Sequence, residues 1–226
     1  MSFADLFERA AEHDPTEDAV RVALAERRAD SGGEDDEGDA DDLPPVDRDP
    51  SPARVVADAD VLAADLLVGG AAREALDLLR SHAWTTLVAS DPLLGDAEAV
   101  IAALADDGLA ADWRDAVEVW REPVAQPAGD HPALASAYRG GAMQVVSLDP
   151  SLTGARAAAG LRDRMAVSVR EPRAFATVFS PAGLYPEAVG GEYPGPDRGP
   201  RSMEPVRSDA DEGPSEDRRP GEDQHR

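Results

Sequence analysis

The stretch VVSLDPSL, Val145–Leu152, decides how the chain is read. A short apolar run reads as a buried strand, yet this one finishes on Asp149, Pro150 and Ser151, where desolvating a carboxylate is expensive. The same arrangement recurs upstream. RVVADADVL (54–62) predicts a first strand at Arg54–Ala57 that runs straight into Asp58. TTLVAS (85–90) predicts a second strand, followed by a helix over DPLLGDAEAVIAALADDG (91–108) with Asp91 as N-cap and Pro92 at its first position. Helical spacing also marks AADLLVGG, AREALDLLRSHA and DWRDAVEVWREP (112–123), the last with Trp113, Val117 and Trp120 on its core side. After AGDHPALASAYRGGA come the strand MQVVSL (143–148), a helix over PSLTGARAAAGLRD, and then MAVSV and EPRAFATVF.

Strands separated by helices predict an α/β fold: a mainly parallel central sheet between helical layers, three layers in all. Right-handed crossovers then bring every strand C-terminus to one edge. Asp58 and Asp149 follow strands directly, Asp130 opens the helix that leads into the later strand, and Asp96 lies early in the helix after TTLVAS. Four carboxylates gathered at one rim raise each other's pKa unless a cation sits among them. Mg²⁺ or Mn²⁺ answers that repulsion, because hard divalent ions prefer carboxylate oxygens and keep waters that can attack a phosphodiester. Capping competes with metal binding for Asp149 and Asp130, capping of the first helix for Asp60, and plain exposure for Asp96.

The remaining composition sets limits. The chain has 226 residues and a formal charge of −24, and its 22 basic residues are all arginine. Such an acidic, alanine-rich, lysine-free composition resembles that of cytoplasmic proteins of extreme halophiles, and the expected location is cytoplasmic. Phosphate-based binding weakens steeply as salt rises, so tight nucleic-acid binding through phosphates is not expected. Repulsion of RNA is nonetheless screened, since the Debye length falls to about 3 Å at 1 M salt. With no cysteine, disulfides, thiolate metal sites and thiol nucleophiles are excluded. No stretch approaches the roughly 20 apolar residues of a membrane span.

Four regions follow. Residues 1–29 form a helical arm, with Phe3, Leu6, Phe7 and Ala10, then Ala19, Val20, Val22, Ala23 and Leu24 at helical spacing around the break HDPTED. Residues 30–53 read as an acidic disordered linker, 54–189 as the folded domain, and 190–226 as a disordered polar tail. The arm's short apolar face needs something to pack on: the domain, a partner protein or a second copy of the chain.

At this point the residues resemble a known family. VVADADVLAADLL is similar to the opening strand and helix of PIN-domain nucleases, LVASDPLLGDAEAVI to their second strand and acid-bearing helix, and GDHPALASAYRGGAMQVVSLDPSL to their third and fourth acid segments. MAVSVREPRAF resembles their final strand and Pro-Arg-x-Phe turn. The resemblance spans roughly residues 54–179. It implies that Asp58, Asp96, Asp130 and Asp149 hold Mg²⁺ or Mn²⁺, that Ser147 assists through its hydroxyl, and that Asp60 stands where the family often has Asn. Asp96 stands where a Glu is usual, with Glu98 as a possible substitute, and Ser151 where a further acid is common. Two functions then compete: metal-dependent hydrolysis of single-stranded RNA, or a catalytically inactive scaffold whose arm docks a partner. Arg54 and Arg139 are candidate phosphate contacts, with salt-bridging as the rival role. His131 reads as a solvent-facing or supporting residue, and the tryptophans as core.

Overall fold

A computed structural model of the chain describes residues 1–31, 48–126, 130–154 and 166–206. Five strands make one sheet: β1 (Ser51–Ala57), β2 (Thr86–Ser90), β3 (Arg121–Val124), β4 (Ala142–Val146) and β5 (Ser168–Arg170). Their spatial order is β3-β2-β1-β4-β5 and every pairing is parallel. Helices flank the sheet in a three-layer α/β/α arrangement, as the alternation predicts. Because helices cover the central strands, these carry continuous apolar runs: Val55, Val56, Ala57, Leu87, Val88, Ala89, Val145 and Val146 are all inaccessible to solvent.

After β1 come α3 (Ala59–Leu67) and α4 (Gly70–Arg80). Next, α5 (Asp91–Leu104) and α6 (Asp107–Trp120) follow β2, and α7 (Pro132–Gly140) joins β3 to β4. A short α8 (Pro150–Thr153) follows β4, while α9 (Pro172–Val178) and α10 (Pro181–Ala188) follow β5. The remainder of the helix expected over 150–163 lies outside the described residues from 155 onward.

Several boundaries differ from the sequence reading. The helix expected through Pro123 stops at Trp120, and Arg121–Val124 pairs with β2 instead. REPV lacks an apolar run, and its proline is tolerated because β3 is an edge strand with one unpaired side. The cap of α5 is Ser90, whose Oγ accepts from Leu93 N at 3.3 Å, so Asp91 is already helical. β1 begins at Ser51, inside the expected linker, with Ser51 N donating to Gly141 O at 2.9 Å. Linker residues 32–47 lie outside the described residues.

The first part of the expected tail packs on the domain. Ala83 N donates to Asp197 Oδ1 at 2.7 Å, Arg198 Nη2 donates to His82 O at 2.7 Å, and Tyr193 Oη sits 2.6 Å from His82 Nε2. Residues 207–226 lie outside the described residues.

The arm folds back on its own domain. In α1 (Phe3–Ala10) a capping box pairs Ser2 with Asp5, and Phe3, Leu6, Phe7 and Ala10 are buried against α6 and α3. The three large side chains contribute about 1.5–3 kcal/mol each when buried. Beneath them lies Arg80, fully buried, in a bidentate pair with Asp65 at 2.7 and 2.8 Å, with Asp77 at 2.7 Å, and under the rings of Phe3 and Phe7. Burial opposes the Arg80 charge, but Asp65 and Asp77 outweigh it and hold its pKa above the ordinary value. The second arm helix, α2 (Glu17–Ser31), packs on α5 and α3 through Val20 and Leu24.

Candidate functional site

Strands β1, β2 and β3 run to one side of the sheet, and the chain then crosses to place β4 on the other side of β1. A reversal of this kind opens a crevice at the strand C-termini, the usual ligand position in such sheets. Asp58 leaves β1 there and caps α3, while Ser147 leaves β4 beside it. Asp58 N donates to Val146 O at 2.8 Å, which locks the two strand ends together.

Asp58, fully buried, accepts three hydrogen bonds. Its Oδ1 accepts from Ala59 N at 2.8 Å and from Arg28 Nη2 at 2.8 Å, and its Oδ2 accepts from Ser147 Oγ at 3.0 Å. Asp60, 1 % exposed, is less well served: Oδ2 accepts from Leu148 N at 3.1 Å and faces Ser147 Oγ at 3.5 Å, and Oδ1 is buried without a hydrogen-bond partner among the described residues. Burial, then the neighbouring Asp58 charge, pushes the Asp60 carboxyl up to about 8, against the pull of the Leu148 and Val61 amides and Arg28. Asp60 therefore holds its proton at neutral pH.

Asp149 enters from the far side of Ser147, whose Oγ accepts from Asp149 N at 3.0 Å. Its carboxylate caps α8, accepting from Ser151 N at 2.7 Å and Ser151 Oγ at 2.8 Å. Ser151 thus clasps Asp149. Asp96 is 8 % exposed and reaches the site through Arg28, whose Nε donates to Asp96 Oδ2 at 3.1 Å. Burial works against the Arg28 charge, but Asp58 and Asp96 hold the guanidinium above its ordinary pKa.

The third nitrogen of Arg28, Nη1, lies 3.3 Å from His131 Nε2. Burial lowers the His131 pKa, so the ring is neutral and has one lone-pair nitrogen. Ala133 N also points at Nδ1 from 3.3 Å, and the two donors compete for that single lone pair. His131, not Asp130, is the N-cap of α7. Asp130 is exposed, and its contribution is a backbone carbonyl that accepts from Gln126 Nε2 at 3.2 Å.

A cavity of about 290 Å³ opens over this cluster. Asp60, Asp149 and Pro150 form its floor, and Arg21, Leu24, Ala25 and Arg28 of α2 form its roof. Among the described residues, no group of three or more His, Asp or Glu is arranged to hold a metal ion. A narrower set has the chemistry of a hard-cation site: two buried carboxylates two residues apart in sequence, of which Asp60 lines the cavity and has one oxygen without a partner among the described residues.

Residues 49–201 match a protein family described as a family of unknown function (DUF7384). The chain belongs to that family. No curated protein and no solved structure matches it. All five strands and Asp58, Asp60, Asp96, Asp130, Ser147 and Asp149 fall within the DUF7384 span, whereas α1 and α2, with Arg28, precede it.

The structure thus brings Asp58, Asp60, Ser147, Asp149 and Asp96 around one crevice and leaves Asp130 at the surface. Glu98 faces away, 3.8 Å from Arg114. Arg54 is held by Glu122 at 2.6 Å and by Gly140 O at 2.7 Å, a structural employment. Arg139 sits in the last turn of α7. Sequence reasoning missed Arg28 altogether. Its one signal is position: it falls four residues after Leu24, on the same helical stripe that packs the arm to the domain. Among the described residues, no helix is long and apolar enough to cross a membrane.

Proposed function

We propose that this protein is a divalent-metal-dependent phosphodiesterase of the PIN type that acts on single-stranded RNA. The observation that carries the reading is Asp60: a carboxyl 1 % exposed, next to a second buried carboxylate, with an oxygen that no donor among the described residues satisfies. A fold has no structural reason to keep that arrangement, since a buried unpaired polar oxygen costs about 1–3 kcal/mol. A cation ligand needs such an oxygen.

Asp58 and Asp60 would hold the ion, with Asp149 and Asp96 as the further carboxylates of the crevice. Bound there, Mg²⁺ or Mn²⁺ supplies a water of lowered pKa and a positive charge beside the phosphate. The protein's own residues do the rest. Ser147 donates to Asp58 Oδ2 and holds that carboxylate in one orientation. Leu148 N does the same for Asp60 through Oδ2. Asp60 would have to be ionised to hold the ion, and because burial and the Asp58 charge push its carboxyl up to about 8, binding would tighten as pH rises toward that value.

The test is cleavage of a fluorescent single-stranded RNA in molar KCl with Mn²⁺, comparing wild type, Asp60→Asn and an arm-released variant, Arg28→Ala. Cleavage by Arg28→Ala that disappears in the double variant with Asp60→Asn supports the assignment. Equal cleavage with and without Asp60→Asn removes it. One observation favours the scaffold reading, namely that Arg28 already neutralises Asp58 and Asp96 with a cation of the protein's own. Absence of cleavage and of Mn²⁺ binding in every variant would select it.

A further inference from the structure

The arm does more than pack, and its place over the crevice has a direct chemical consequence. We infer that α2 is a self-inhibitory strap: the Arg28 guanidinium occupies the position of a divalent cation, and the ion binds only as Arg28 leaves. The inference rests on the proposed metal site.

Arg28 is engaged with two of the acids of the crevice. Nη2 is on Asp58 at 2.8 Å, Nε is on Asp96 at 3.1 Å, and Nη1 faces His131 at 3.3 Å. Arg27 adds a second positive charge 3.8 Å from Asp96. A guanidinium stays charged at any working pH and presents its donors as a rigid planar fork, which suits two carboxylates held apart across a crevice. A divalent ion needs the same carboxylate oxygens turned inward upon itself, so the two cations exclude each other. Asp60 Oδ1 stays unpartnered because the guanidinium reaches the other two acids and not this one.

The strap buries fewer large side chains than the helix before it. α1 anchors the chain with Phe3, Leu6, Phe7 and Ala10, whereas α2 buries Val20 and Leu24 among residues 17–30 and shows Arg21, Val22, Ala25 and Glu26 to solvent or to the cavity. Residues 11–16 join the two helices. Release of α2 with α1 still docked would open the crevice from above without unfolding the domain.

The coupling is reciprocal, so each partner reports on the other. The experiment measures Mn²⁺ affinity by calorimetry in molar KCl for the full chain, Arg28→Ala and Asp60→Asn, and hydrogen exchange of α2 in the wild type with and without saturating Mn²⁺. Arg28→Ala is expected to bind Mn²⁺ about tenfold more tightly, within the 5–150-fold usual for such coupling. In the wild type, amides of 18–31 should exchange faster once Mn²⁺ is bound, with those of 3–10 unchanged. Equal Mn²⁺ affinity in wild type and Arg28→Ala, both abolished by Asp60→Asn, overturns the strap and leaves the metal site standing. No Mn²⁺ binding by any variant overturns both. Should Arg28→Ala fail to fold, the wild-type exchange decides alone: α2 protection unmoved by saturating Mn²⁺ refutes the strap.

Discussion

Replacing Asp60 with asparagine isolates what this carboxyl costs the fold. In metal-free buffer with chelator, the unfolded chain releases the Asp60 proton near 3.9, the ordinary value for an aspartate. The native state keeps that proton until about 8. Below both values the group is protonated in both states, and its favourable burial as a neutral acid is fully present. Between them the native state binds one more proton than the unfolded chain, so stability falls as pH rises, at up to about 1.4 kcal/mol per pH unit. Above the folded value the loss is complete. Taken across the whole window, this is on the order of 2–5 kcal/mol, with the lower end applying if water enters to meet the charge. Asparagine has nearly the shape of the protonated acid, can still accept from Leu148 N, and does not titrate. The variant and the wild type should therefore differ little near about pH 4 and diverge toward about pH 8, where the variant gains roughly 5–15 °C for a chain of this size. Circular dichroism melts at constant molar KCl measure the gap. A gap that is the same at both pH values refutes the reasoning, because it would mean that the carboxyl at position 60 titrates normally in the folded protein. Saturating Mn²⁺ should narrow or reverse the gap by stabilising only the wild type, by about 2.7 kcal/mol at a hundredfold excess over Kd.

Two further perturbations test the frame around the site. Asp65→Ala leaves Arg80, fully buried, with Asp77 as its remaining carboxylate partner, and should cost about 3–5 kcal/mol in urea denaturation. That cost should persist across KCl concentrations, because a buried pair is poorly screened, and a loss that vanishes with salt would show the pair to be hydrated. Gly140→Ala would set a Cβ 2.2 Å from Val88 Cγ1, so α7 must move off β2 at about 1–3 kcal/mol. An unchanged melting temperature would show that α7 shifts freely there.

Much of the fold was legible because it is written in short-range pattern. Val145–Val146 and Val55–Ala57 read as buried strands, since helices on both sides of a parallel sheet demand uninterrupted apolar runs, and these residues are inaccessible. β3 was not legible: REPV has neither an apolar run nor alternation, and its strand character comes from pairing with β2 alone. The segment 190–206 has the composition of a linker, and what orders it is contact with His82 and Ala83, more than a hundred residues earlier. In the site, Asp58 stood out as an acid interrupting a buried run, whereas Ser147 was offered only by the resemblance to PIN-domain nucleases. Asp130 and His131 could not be told apart by position, because either can cap α7. The ring took the cap and the carboxylate went to solvent.

The amino-acid sequence by itself determined the alternation of strand and helix, the acids that follow β1 and β4, and the amphipathic arm, because each arises from neighbours within one or two turns of chain. Only the tertiary structure decided which charges meet. In a chain with 46 acidic residues and 22 arginines, no local rule selects Arg28 for Asp58 and Asp96, which lie 30 and 68 residues away. That choice is made by the packing of Val20 and Leu24 against the domain, which carries the guanidinium over the crevice, and by burial, which leaves Asp60 the one carboxyl there without a full set of partners.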